Sequence, residues 1–137
     1  MAEYMLLVYE EEVEAAVQAE HEKVTPMLIE LHESLREAGL LVDVRRLYST
    51  ESATSVRVRG GETELTDGPF AVTKEVLAGY YIIECADLDE ALKHAARMPM
   101  APWATIEVRP VMAADAWLNT ARRAGVDVSD EDARHLA

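Results

Sequence analysis

The order in which apolar residues switch between a period of two and a period near 3.6 constrains this chain most, because each period commits a segment to strand or helix. Tyr4–Tyr9 is almost wholly apolar and bounded by charge, as expected of a strand buried on both faces. From Glu11 to Ala38 the composition turns to Glu, Ala, Gln, Leu and His, and Leu28, Leu31, Leu35 and Ala38 form one helical stripe that Gly39 ends. Pro26 is unfavourable inside a helix, whereas Thr25 as N-cap with Pro26 at the first helical position would restart one. Two helices or one kinked helix are therefore expected there. Leu41–Tyr48 reads as the second strand, and Ser49–Thr54 as a loop.

The next segment is a hairpin. Val56 and Val58 alternate with Arg57 and Arg59, Gly60-Gly61 supplies a two-residue turn, and Glu62–Thr66 returns. In that register Arg59 faces Glu62 and Arg57 faces Glu64, which occupies both arginines structurally. A loop, Asp67–Val76, precedes the strand Gly79–Cys85, with Tyr80, Ile82 and Glu84 on one face and Tyr81, Ile83 and Cys85 on the other. Asp87 and Glu90 form a capping box ahead of a helix with Leu88, Ala91, Leu92 and Ala95 on its buried stripe, stopped by Pro99 and Pro102. Thr105–Val111 alternates as a half-buried last strand. This order predicts an α+β fold: a ferredoxin-like antiparallel sheet with two main helices on one face and an inserted β-hairpin. Residues 1–112 would form the domain and 113–137 a C-terminal extension, with Ala116, Trp117, Leu118 and Ala121 on a short amphipathic helix.

With 137 residues and 50% hydrophobic content, one domain can bury a core without staples. The single cysteine, Cys85, rules out an intramolecular disulfide and a CxxC motif, and the N-terminal apolar run is too short for a signal peptide or membrane span. A cytoplasmic protein is expected. The formal net charge of −13 opposes nucleic acid and anionic membranes but leaves small molecules and basic protein faces as partners. Much of the acidity lies in Glu10, Glu11, Glu12, Glu14, Glu20 and Glu22, which reads as the solvated side of a helix. His21, His94 and His135 lack partners at a metal-binding spacing, and GxGxxG, P-loop and GxSxG motifs are missing, so neither metal nor cofactor is expected.

The stretch DGPFAVTKEVLAGYYIIE, Asp67–Glu84, resembles the signature of the YciI-related DGPF family. YMLLVYE at Tyr4–Glu10, LREAGLLV at Leu35–Val42, DLDEAL at Asp87–Leu92 and IEVRPV at Ile106–Val111 follow in family order. The resemblance implies a dimeric α/β-barrel type of fold, with a loop Asp and a first-helix His lining a cleft. Asp67 matches the loop position. Leu28 stands where many relatives have histidine, and His32 lies one turn later on nearly the same helical face.

The resemblance makes Asp67, and helical spacing makes His32, the candidate catalytic residues, with Gly68, Pro69, Phe70, Lys74, Glu75, Tyr80 and Tyr81 as candidate ligand-binding residues. Structural alternatives stand beside each. Asp-Gly-Pro has the chemistry of a turn, Phe70 could plug the core beneath it, and Lys74 with Glu75 could pin the loop. Only one of Tyr80 and Tyr81 can face a given cleft. An imidazole beside a carboxylate suits metal-free proton transfer of the lyase or isomerase type on a small molecule. The alternative is a regulatory protein binding a partner related to an extracytoplasmic-function sigma factor. In either case an uncovered sheet face predicts a homodimer.

Overall fold

The computed structural model describes residues 1–12 and 15–135. Strands β1 (Ala2–Glu11), β2 (Leu41–Arg46), β5 (Glu75–Cys85) and β6 (Thr105–Pro110) form an antiparallel sheet in the order β2-β5-β1-β6. The helix α1 (Ala15–Glu37) links β1 to β2, and α2 (Leu88–Ala96) links β5 to β6. Each helix thus joins two strands that have a third between them, giving the interleaved split β-α-β units of a ferredoxin-like α+β fold.

Alternation along the central strands divides the sheet into two faces. Leu6, Val8, Tyr81, Ile83 and Cys85 are buried on one, and Ala91, Ala95, Met98 and Met100 close over them from α2 and the segment that follows it. Leu6 pairs with Tyr81 and Val44 with Tyr81, so β1, β5 and β2 place core residues at one level. The opposite face carries Met5, Leu7, Tyr80 and Ile82, all only partly covered. Asp87 caps α2 as expected, while Glu90 reaches back one residue beyond the cap. The Asp87 carboxylate accepts from the Glu90 N–H at 2.9 Å, and Glu90 accepts from the Ala86 N–H at 2.8 Å.

Several expectations are corrected. Of the two alternatives for the first helical segment, the break into two helices is the one overturned: α1 runs through Pro26 as one element. Pro26 and Glu22, whose carbonyl loses its helical partner, are both exposed, so water can replace the missing hydrogen bond. The first strand extends to Glu11, which places Glu10 and Glu11 in β1 rather than on the solvated side of a helix, while Glu22 is exposed on α1. Glu14 lies outside the described residues, as do the side chains of Glu20, His21 and His135. The second strand stops at Arg46, and the expected loop contracts to residues 68–74 because Asp67 ends β4 and Glu75 begins β5.

Between β2 and β5 the chain makes an excursion containing a short 3-10 turn (Thr50–Ser52) and the hairpin β3 (Thr54–Arg59) with β4 (Glu62–Asp67). Its register pairs Arg59 with Glu62 and Arg57 with Glu64, as the alternation requires, and both turn glycines have positive φ. The hairpin is a separate two-stranded sheet. Beyond β6 lie α3 (Ala114–Arg123), with Leu118 buried, and α4 (Asp130–His135). No described helix is long and apolar enough to cross a membrane.

Candidate functional site

A pocket of about 100 Å³ opens between α1 and the core face of the sheet. Val24 and Leu28 of α1, Val8 of β1 and Val44 of β2 make its walls apolar, while Met100 and Trp103 contribute from the connection between α2 and β6. Val24, Leu28 and His32 succeed one another at four-residue spacing, which brings all three onto the face of α1 that overlies the sheet.

Two polar groups meet in the wall. His32 Nε2 lies 2.8 Å from the Tyr81 hydroxyl, with the rings 5.2 Å apart and tilted by 58°. Either group can donate, according to the imidazole tautomer. Burial lowers the His32 pKa from its ordinary value, and the neighbouring Arg36 charge lowers it further. Burial raises the Tyr81 pKa, partly opposed by Arg46. Near neutrality the pair is therefore an uncharged imidazole against an un-ionised phenol. The rim adds charge: Glu10 and Arg46 line the pocket, and the Trp103 indole N–H donates to Glu10 Oε2 at 3.4 Å.

The sequence candidates divide accordingly. His32 and Tyr81 are brought together at the pocket, and Leu28 lines it one turn away. Tyr80 also borders the pocket, but its hydroxyl donates to Asp43 Oδ2 at 2.9 Å on the opposite sheet face, where Asp43 also accepts from Arg45 at 2.7 Å. That hydrogen bond is the main cause of a raised Tyr80 pKa. Tyr81 is thus the one of the two tyrosines whose hydroxyl meets His32.

Asp67, Gly68, Pro69, Phe70, Lys74 and Glu75 do not line the pocket. Asp67 is exposed at the root of the hairpin, opposite Thr54. Gly68 adopts φ 95°, donates to the Ala53 carbonyl at 2.7 Å and accepts from the Ser55 hydroxyl at 2.8 Å, so Asp-Gly-Pro does the work of a turn. Phe70 is 82% exposed and plugs no core. Lys74 pairs with Glu11 at 3.2 Å, while Glu75 accepts from the Thr105 hydroxyl at 3.0 Å.

The pattern of residue types missed Glu10, Arg46, Met100 and Trp103. A signal existed for Glu10: it follows Leu6 and Val8 at intervals of two and so shares their face. None existed for Trp103, which lies 93 positions from Glu10 and reaches it only through the fold.

A family model described as the YCII-related domain matches residues 2–115. The chain is also 43% identical over 112 residues to an uncharacterized protein of Rhizobium meliloti (strain 1021), an alignment covering 79% of this chain and 90% of that protein. Because the family match takes in the whole sheet, both crossover helices and the hairpin, the chain belongs to the YCII-related family.

Proposed function

We propose that the chain binds a small, mostly apolar molecule in the pocket beneath α1, and that His32 and Tyr81 carry out metal-free proton transfer on it. The observation that carries this reading is the 2.8 Å contact between an uncharged imidazole and a buried phenol in the wall of that pocket. The Tyr81 oxygen accepts a proton from a substrate carbon or oxygen as its own proton passes to His32 Nε2. Return of the proton from His32 by way of Tyr81 to a second substrate atom gives an isomerisation; its delivery to a departing group as that group's bond breaks gives an elimination. Asp67 enters this reading only as part of the hairpin, since it does not line the pocket.

The test is a thermal-shift screen of compact carbonyl and hydroxyl compounds, followed by turnover assays on the hits. His32→Ala and Tyr81→Phe are expected to lower turnover about 10²-fold or more, with Asp67→Asn close to wild type. A hit turned over equally well by both pocket variants would reject the chemistry. A second reading, regulation through a sigma-factor-related partner, is favoured by the net charge of −13 and predicts binding to a basic protein face that weakens steeply with salt.

A further inference from the structure

The pocket beneath α1 is charged unevenly along its length. Leu6 and Val44 flank Tyr81 in one row of the sheet, and Val8 and Arg46 flank Gly79 in the next row on the same face. Gly79 has no side chain to fill the space between Val8 and Arg46, so it forms the floor of the pocket. Arg46 thus borders that floor one row from the phenol, ~7 Å along the strand. Its charge reaches the phenol, since it opposes the rise that burial imposes on the Tyr81 pKa. Glu10 stands at the other end. It lies four residues beyond Leu6, ~14 Å along β1 from the row of Tyr81, where the Trp103 indole donates to it. Between the two ends Val8, Val24 and Leu28 offer only apolar surface.

This polarity selects the ligand. A body of net charge −13 repels anions in general. The pair is a local exception, because Arg36 acts on His32 and Arg46 on Tyr81. A guanidinium stays charged at any ordinary pH, and its five N–H donors form a fork that fits both oxygens of a carboxylate without giving up a contact within the chain. An amine would instead be drawn to Glu10, and a molecule compact enough for a pocket of about 100 Å³ would then not reach the phenol.

Building on the pocket as the site of proton transfer, we propose that its substrate is a compact carboxylic acid. Arg46 holds the carboxylate next to the Tyr81 hydroxyl, and the apolar remainder lies over Gly79 against Val8, Val24 and Leu28. The atom presented to the Tyr81 oxygen is then one beside the carboxyl group.

Three probes of similar shape test this: 3-methylbutanoate, 3-methylbutanamide and 3-methylbutylamine, titrated into the full chain near neutral pH and followed by NMR. The acid should bind about tenfold or more tighter than the amide, with the amine weakest. Arg46→Gln, a change at an exposed position that leaves the fold intact, should bring the acid within about twofold of the amide without altering the affinity for the amide. Arg46→Lys should keep part of the preference through its charge. Arg36→Gln removes the same charge from outside the pocket and should leave the preference within about twofold of wild type. An amide or amine bound as tightly as the acid, a preference that survives Arg46→Gln, a preference lost equally in Arg36→Gln, or no acid binding in the millimolar range would each overturn the proposal. An acid preference set by Arg46 together with turnover untouched by His32→Ala and Tyr81→Phe would sink the proton-transfer reading and leave acid recognition standing.

Discussion

His32 and Tyr81 hold one hydrogen bond between two groups that their surroundings keep uncharged, and pH acts on them from opposite ends. For His32 the folded-state pKa lies below the ordinary 6.5, so the unfolded chain takes up that proton first as pH falls. The stability contributed by neutral His32 is complete above that ordinary value and is lost as pH drops toward the folded-state value. The thermal midpoint of the wild type should consequently fall more between about pH 7 and pH 5.5 than that of His32→Gln; superimposable profiles would contradict this. Tyr81→Phe keeps the ring in the core and removes only the hydroxyl, leaving a half-buried imidazole nitrogen unpartnered, at a cost of about 1 kcal/mol in denaturant unfolding. At this scale the spacing of four residues from Leu28 to His32 carried the shared helical face. The phenol opposite His32 was not readable, because strand alternation separates Tyr80 from Tyr81 without saying which face α1 covers.

Among elements, the pairing of β2 with β5 depends on Gly79. A Cβ there would lie 2.5 Å from the Arg45 carbonyl oxygen, a backbone atom with nowhere to go. Gly79→Ala is expected to destabilise by about 2–3 kcal/mol, the scale of overpacking, and to loosen the pocket wall made by the same residues. Pro26→Ala should act in the other direction. It restores the hydrogen bond to Glu22 in an exposed stretch of α1 and should raise stability by about 1–3 kcal/mol, read from urea unfolding. Element order, hairpin register and the Asp87 cap were all legible, because each depends on residues a few positions apart. The choice between one helix and two at Pro26 was not, since Pro26 opposes a helix locally and only the exposure of its turn makes the defect tolerable. The extent of β1 misled for a related reason. Glu10, Glu11 and Glu12 have the composition of a helix start, yet each finds a fixed partner: Trp103, Lys74 and Thr50 respectively.

The whole molecule carries −13, most of it outside the excursion between β2 and β5, and like charges confined to a small body oppose its compaction. Salt should therefore stabilise it, the thermal midpoint rising by a few degrees between about 0.02 and 0.3 M sodium chloride as the screening length shortens; a falling midpoint would show that attractive pairs dominate. The pocket belongs to this scale too, being closed by segments from β1 and the α2–β6 connection that only the complete topology brings together. The excursion between β2 and β5 has one more consequence. The Leu47 N–H donates to the Ala78 carbonyl at 2.8 Å, so the chain leaves and rejoins the main sheet through a hydrogen-bonded neck. Whatever lies beyond that neck is joined to the core by a closed doorway rather than woven through it. Residues 50–72 accordingly form a natural splice site, where descendants of this sequence can shorten, lengthen or replace a whole segment while β2 and β5 remain zipped.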